Sequence, residues 1–310
     1  MTNIFSFEVL SGVLRTMIAL STPFLFAALG ETFSQLSGVV NLGVDGIMLL
    51  AGFFAFYAVL LTGNVWLGLL LAMFIGLLMG LIMSLVSVTL KAQQGISGIG
   101  LQIFGLGMSS LLFKVLVGTV KTVSGFAPIK IPLLGDIPFF GPILFRNNFL
   151  VYAAFLLVPV SWWILEKTTL GLKIKAVGQN PAAADSVGIN VNRIRYFSVC
   201  LGAILAGVAG AALSISVANL FQDNLTAGQG FIAVALVYFG GWSPIGVLGG
   251  ALLFSFATSA QLWLQVLGIQ VPASLAVMLP YILTIIVLTI SVNRGKQPAA
   301  LNKQFFRGEN

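Results

Sequence analysis

The 310 residues carry only 7% charge and are 58% hydrophobic, whereas a soluble domain has about 25% charged residues, so most of this surface cannot face water. The net charge is +7, but lysine and arginine lie between apolar segments and at the C-terminus, which argues against nucleic-acid binding. Histidine is absent, which disfavours a metal centre or a triad built on a histidine base.

Apolar segments long enough to cross a hydrocarbon core of about 30 Å recur from end to end. In chain order they cover residues 12–30, 38–62, 66–90, 95–118, 149–165, 196–217, 229–261 and 272–292. Their helix-like lengths and frequent glycines favour helices that approach closely in lipid. The sequence therefore predicts an all-α fold, a polytopic transmembrane helix bundle of about nine or ten spans that forms a single transmembrane domain over residues 1–310.

Two longer loops separate these segments. Residues 119–148 are rich in proline and glycine, which predicts an irregular external loop. Residues 166–195 hold five basic against two acidic residues, so the positive-inside rule predicts that this loop is cytoplasmic. The basic tail 293–310 is predicted to lie on the same side.

The parity of crossings predicts a break in segment 229–261. A chain that leaves the cytoplasm after Arg195 and returns before Arg294 must cross an even number of times, yet three apolar segments lie between. The sequence Gly-Gly-Trp-Ser-Pro at 240–244 breaks a helix, and splitting the segment there restores the parity. A break at membrane depth needs a protein-lined or water-lined cavity, so 226–244 is a candidate pathway or gate; a short cytoplasmic turn between two helices explains the pattern equally well.

A short helix is specified within the cytoplasmic loop. Asn180 can cap its free N–H groups, Pro181 suits the first helical position, and Ala182–Ala184 have high helix propensity. Gly188 can adopt the left-handed conformation that ends a helix. A helix about 10 Å long is marginal alone in water, so it either docks a cytoplasmic partner or is a capped turn that joins two spans.

Three ordered motifs complete the sequence evidence. The first runs over Gly30–Ser34 and Ser37–Gly46, the second over Ala176–Ile189, and the third over Gly230–Pro244. With them, residues 12–292 resemble permease subunits of ATP-binding cassette importers of the ribose/branched-chain amino-acid permease superfamily, most closely the nucleoside and simple-sugar branch.

The resemblance implies that residues 176–190 form a coupling helix in a groove of a cytoplasmic ATPase. It assigns this role to Gly178, Asn180, Pro181, Ala182, Ala183, Ala184, Asp185 and Gly188. The implied partners are a second permease subunit, homologous or identical, a cytoplasmic ATPase that uses ATP-Mg, and an extracytoplasmic substrate-binding protein. The chain has no Gly-x-x-x-x-Gly-Lys-Ser/Thr phosphate loop of its own. We therefore expect a multi-pass transport subunit of the cell (inner) membrane, with no cofactor, metal or enzymatic site.

Polar residues within the apolar segments form the predicted translocation path. Such side chains usually face the bundle interior or a water-filled route, although hydrogen bonding between helices is the alternative for each of them. A nucleoside or simple sugar needs hydrogen-bonding groups and aromatic or apolar walls without a fixed counter-charge. The residues assigned to the path are Glu31, Asn41, Asp45, Gln94, Gln102, Gln229, Phe231 and Trp242.

Three other functions fit parts of the sequence. A permease for branched-chain amino acids differs only in its substrate. A secondary transporter driven by ions needs coupling sites at mid-membrane, for which only Glu31 and Asp45 come close. An intramembrane enzyme is disfavoured because no nucleophile has a histidine base.

Overall fold

A computed structural model describes residues 7–132, 135, 137, 140–266, 278, 282, 285, 289 and 297–307. The predicted all-α architecture is confirmed for these residues. The longer helices are α1 (Phe7–Leu36), α2 (Val44–Thr62), α3 (Val65–Ser84), α4 (Gln94–Leu116), α6 (Phe149–Lys167), α9 (Val191–Ala212) and α11 (Pro244–Val266). The shorter helices are α5 (Phe140–Leu144), α7 (Thr169–Gln179), α8 (Pro181–Ser186) and α10 (Gln229–Phe239).

Seven helices in the described ranges are long and apolar enough to cross a membrane. They are α1, α2, α3, α4, α6, α9 and α11, and single π-helical turns, Leu85–Thr89 and Leu213–Val217, extend α3 and α9. Helix α9 lies at the centre and packs against α1, α2 and α3. Apart from four isolated positions, the predicted span 272–292 lies outside the described residues, so the full number of spans stays a prediction.

Local signals in the sequence explain the sharp turn between α2 and α3. Gly63 adopts a left-handed conformation with φ of 69° and its N–H bonds to the Val59 carbonyl, which ends α2. The Asn64 side chain then accepts hydrogen bonds from the N–H groups of Trp66 and Leu67 and so caps α3. One short turn therefore returns the chain across the bundle.

The segment 119–148 contains a small amount of regular structure. Strands β1 (Pro128–Lys130) and β2 (Arg146–Asn148) pair antiparallel, with Pro128 opposite Asn148. Thr122 forms an isolated bridge with Leu220. This segment therefore lies at the same end of the bundle as the end of α9.

The opposite end of the bundle carries α7, α8, the non-helical segment 37–43 and the C-terminal residues 297–307; we call it the α8 end. The sequence analysis predicted only α8 within 166–195, so α7 is an addition. Thr168 caps α7 by accepting from the Gly171 N–H, and Ile174 and Val177 bury its apolar face. Because the tail 297–307 lies beside α7 and α8, both basic segments are at one end, in accord with the predicted common side.

The predicted break at 240–244 is confirmed, because α10 ends at Phe239 and α11 begins at Pro244. Trp242 lies in the turn with φ of 56°, and its Nε1 donates to Gln35 Oε1 at 2.9 Å. Gln35 is in the last turn of α1, so this turn lies at the α8 end. The geometry agrees with a short turn between two helices.

A second interruption precedes α10. The chain after Val217 is not helical until Gln229, and Asn224, Ala227 and Gly228 in this stretch have positive φ. Helix α10 has 11 residues, about 16 Å, or half of the hydrocarbon thickness. Its first turn contacts Asp45 on α2, which in turn bonds Gln102, eight residues into α4. The half-helix α10 therefore begins inside the bundle.

Candidate functional site

A buried carboxylate joins three helices where α10 begins. Asp45 stands in the first turn of α2 and is 1% exposed. Its Oδ1 accepts from the Gly230 N–H at 2.8 Å, and its Oδ2 accepts from Gln102 Nε2 at 3.0 Å. The N-cap residue of α10 is Gly228, which has no side chain that could cap the helix. Asp45 therefore caps α10 from another helix and places negative charge where the helix dipole favours it.

Gly230 is required by the close approach of α10 to this carboxylate. A Cβ atom built on Gly230 would lie 2.3 Å from the Asp45 Cα and 2.4 Å from its backbone nitrogen. Both of these are backbone atoms, so a side chain cannot be accommodated by a change of rotamer. The glycine lets the first N–H groups of α10 reach Asp45.

A second polar cluster fixes the non-helical segment 37–43. Glu31, 2% exposed on α1, accepts at Oε1 from the Asn41 N–H at 3.0 Å and from Gln35 Nε2 at 3.1 Å. Asn41 Oδ1 accepts from the Gly43 N–H at 2.9 Å, and Gln94 Oε1 accepts from the Val40 N–H at 2.9 Å. These side chains supply the backbone partners that a helix would otherwise provide.

Six of the eight predicted path residues therefore belong to one of two hydrogen-bonded clusters. Asp45 and Gln102 belong to the first, and Glu31, Asn41 and Gln94 belong to the second, to which Trp242 is linked through Gln35. The remaining two flank Gly230 in sequence: Gln229 is half-buried at the start of α10, and Phe231 is 43% exposed. Most of the predicted path residues thus hold the irregular backbone together.

Two buried polar atoms near the start of α10 have no hydrogen-bond partner among the described residues. They are Gln102 Oε1 and Thr226 Oγ1. Thr226 is 1% exposed and its carbonyl accepts from the Gln229 N–H at 2.9 Å, so it sits directly before the half-helix. Buried polar atoms without partners are costly; Gln102 Oε1 can accept a further hydrogen bond, and the Thr226 hydroxyl can donate or accept one.

The sequence analysis missed Gln35, Thr226 and Arg195 as site residues. Gln35 had a usable signal, because it lies four residues after Glu31 on the same helix face. Arg195 was counted only as a basic loop residue, yet it is 2% exposed and lies within α9. Thr226 had no signal, since nothing in sequence distinguishes it from a loop threonine.

The predicted coupling helix forms as its end signals indicate. Asn180 Oδ1 accepts from the Ala183 N–H at 3.0 Å, Pro181 is the first helical residue, and Gly188 has φ of 85°. Ala184 is 3% exposed and packs with Val177. The outward face is formed by the exposed residues Ala182, Ala183, Ser186 and Val187.

Helix α7 connects α8 to the second polar cluster. A Cβ atom on Gly178 would lie 2.0 Å from the Leu36 carbonyl oxygen, so α7 touches the backbone at the end of α1. The segment 37–43, with Asn41, follows directly. Asp185 on α8 is held from outside by Arg307, whose Nε donates to its Oδ2 at 3.0 Å.

The described residues form seven helices of membrane length, a half-helix that begins inside the bundle and a small exposed helix at one end, which define a polytopic membrane protein. Residues 13–288 match the family described as the permease component of branched-chain amino acid transport systems. The chain therefore belongs to this permease family, and the family membership predicted from the motifs is confirmed.

Several named relatives match over nearly the whole chain. It is 37% identical to the guanosine ABC transporter permease protein NupQ of Bacillus subtilis, covering 97% of this chain and 98% of the relative. It is 35% identical to the putative glucose ABC transporter permease protein TsgC13 of Haloferax volcanii, over 96% and 98%. It is 34% identical to the nucleoside ABC transporter permease protein NupC of Lactococcus lactis, over 93% and 94%.

Among solved structures, PsaBC from Streptococcus pneumoniae in complex with Fab is similar in fold. The TM-score is 0.50 and the sequence identity is 16%, over 92% of both chains. This similarity concerns the arrangement of the helices alone.

Proposed function

We propose that this permease forms the path for a nucleoside in an ATP-binding cassette importer of the cell membrane. A second permease subunit, a cytoplasmic ATPase that uses ATP-Mg and an extracytoplasmic substrate-binding protein would complete the transporter. ATP hydrolysis would take place on the ATPase, and this chain would convert it into alternating access. The full-length similarity to NupQ and NupC supports the nucleoside substrate.

The observation that carries this proposal is the hydrogen bonding of the two buried carboxylates within the spans. Asp45 and Glu31 are both buried, and each accepts two hydrogen bonds from protein donors. Both carboxylates are thus already engaged by protein donors. Neutral polar atoms remain available instead, at Gln102 and Thr226, which suits the hydroxyl and base groups of a nucleoside and does not suit a zwitterionic amino acid.

The exposed face of α8 supports docking of the ATPase. Its alanines allow a partner to approach closely, and its buried face is anchored through Ala184. A helix of 6 residues is too short to be stable without such contacts. Movement of α8 would pass through α7 to Leu36 and then to the segment 37–43 that Glu31 and Gln94 hold in place.

A glucose-type sugar is the second candidate substrate, because TsgC13 is 35% identical over 96% of this chain. The neutral polar atoms near the start of α10, Gln102 Oε1 and Thr226 Oγ1, suit a sugar as well.

Competition for uptake distinguishes these substrates. Proteoliposomes would hold the permease with its ATPase and binding protein, and uptake of radiolabelled guanosine would be measured with excess unlabelled nucleoside, glucose or leucine. We expect nucleosides to suppress uptake while glucose and leucine do not. If labelled glucose or leucine were transported and guanosine were not, the nucleoside proposal would be wrong.

A further inference from the structure

The C-terminal residues 297–307 contact α7 and the segment 37–43 through backbone hydrogen bonds. The Ala300 N–H donates to the Gly178 carbonyl at 2.9 Å, and the Asn302 N–H donates to the Gly38 carbonyl at 3.1 Å. Ala300 and Leu301 are each 5% exposed. The tail therefore ties the end of α7 to the segment 37–43 through backbone hydrogen bonds, which allow little relative movement.

Further contacts fix the tail beyond Asn302. Gln304 donates to the Lys91 carbonyl, and Lys91 Nζ lies 3.9 Å from the centre of the Phe306 ring. Phe305 packs beside Val177 and Ala184, and the Arg307–Asp185 ion pair described above reaches α8 itself. The tail thus contacts both α7 and α8 as well as the segment that follows α3.

Arg195 occupies the space between the tail and segment 37–43. Its Nε donates to the Ser37 carbonyl at 3.3 Å and its Nη1 donates to the Lys303 carbonyl at 3.2 Å. A Cβ atom on Gly38, which has φ of 92°, would lie 3.0 Å from Arg195 Nη2. Two of the guanidinium nitrogens thus bridge two backbone segments, a geometry that the planar fork of arginine allows, whereas Nη2 is buried without a hydrogen-bond partner among the described residues.

We propose that Arg195 and residues 300–303 form a clasp that transmits the movement of α8 to the segment 37–43. This inference rests on the proposed function, since it requires an ATPase that moves α8. Arg195 is a positioning residue in this account. It acts through its hydrogen bonds to the Ser37 and Lys303 carbonyls. Movement of segment 37–43 then reaches Glu31 through the Asn41 N–H.

The clasp adds a second mechanical connection between α8 and the bundle. The first connection is the contact of Gly178 with Leu36. With the clasp, α7 is also fixed to Gly38 through Ala300 and Asn302, so the start of α2 and the ends of α7 and α8 move as one unit. Loss of the clasp leaves the docking surface of α8 in place but weakens its connection to the path.

The test replaces Arg195 in the complete transporter reconstituted in proteoliposomes. For Arg195→Ala we expect the ATPase to co-purify as with the wild type and to hydrolyse ATP, while guanosine taken up per ATP hydrolysed falls by about tenfold, within the range of measured coupling between sites. Arg195→Lys keeps the charge but cannot reproduce the planar fork, so it should recover only part of the ratio. Arg193→Ala, an exposed arginine on the same helix, should leave the ratio unchanged.

Deletion of residues 297–310 provides an independent variant, because it removes the tail and leaves the helix carrying Arg195 intact. It should also uncouple hydrolysis from uptake, and it carries the test if Arg195→Ala does not insert into the membrane. An unchanged ratio of uptake to hydrolysis in either inserted variant would overturn the clasp while the proposed function stands. A wild-type transporter without ATP-dependent uptake would instead overturn the proposed function, and the clasp with it.

Discussion

Replacing Asp45 with alanine removes the acceptor that joins α2, α4 and α10. The Gly230 N–H and Gln102 Nε2 lose their partner in a buried place. A buried donor left without a partner costs about 1–3 kcal/mol, so the two donors together cost about 2–6 kcal/mol. Over 310 residues, an unfolding entropy of about 2.1 cal/mol/K per residue converts this into a fall of about 3–9 °C in Tm.

Asp45→Asn separates hydrogen bonding from charge at the same position. The asparagine oxygen can still accept from the Gly230 N–H, and once the Gln102 amide, which now donates through Nε2, rotates by 180°, the asparagine amide can donate to Gln102 Oε1, which has no partner among the described residues. Only the interaction of the charge with the N-terminus of α10 is lost, about 1 kcal/mol. We therefore expect Asp45→Asn to lower Tm by about 1–2 °C, much less than Asp45→Ala.

The assay is thermal unfolding of the purified permease in detergent, followed by a thiol-reactive dye or by light scattering. Asp223→Ala is the matched control, because Asp223 is an exposed acid whose ion pair with Lys114 spans 3.7 Å and contributes little. The reasoning would be refuted if Asp45→Ala were no more destabilising than Asp223→Ala, or if Asp45→Asn were as destabilising as Asp45→Ala.

Two further substitutions test the half-helix and the coupling helix. Gly230→Ala places a Cβ atom 2.3 Å from the Asp45 backbone and should cost about 1–3 kcal/mol through overpacking, measured by the same unfolding assay. Gly249→Ala on α11, where a Cβ atom meets nothing within 4 Å, should not destabilise, and equal effects at the two sites would contradict the close approach. Ala183→Glu should abolish co-purification of the permease with the ATPase without changing membrane insertion. The control Val120→Glu, at an exposed residue of the opposite end, should still co-purify with the ATPase. If Ala183→Glu also retained the ATPase, the docking surface would be contradicted.

The parts of the fold that follow from local signals could be predicted from the sequence. Asn180, Pro181 and Gly188 specify both ends of α8 by their own conformational preferences, and the structure places each of them in the predicted role. The break at 240–244 was equally visible, because glycine and proline act on the backbone nearby. Helix α7 also had a local signal that the sequence analysis did not use, because its buried residues Gly171, Ile174, Val177 and Gly178 follow the spacing of one helix face.

The partners within the candidate site could not be predicted from the sequence. Asp45 and Gly230 are 185 residues apart, and no local pattern indicates that a carboxylate on one helix caps another. Phe231 illustrates the same limit: its type suits a path wall, but its side chain is 43% exposed because the adjacent Gly230 is the residue that turns towards Asp45. The sequence could indicate polar residues within the spans, whereas their pairing depends on how the helices pack.

The energy source tests the account's central claim most directly. Guanosine uptake would be measured in proteoliposomes that hold the permease, its ATPase and its binding protein, with either ATP or an imposed proton or sodium gradient. We expect uptake with ATP alone and none with either gradient alone, and Ala183→Glu should abolish the ATP-driven uptake. Uptake that follows an ion gradient in liposomes without the ATPase would contradict the account and identify a secondary transporter.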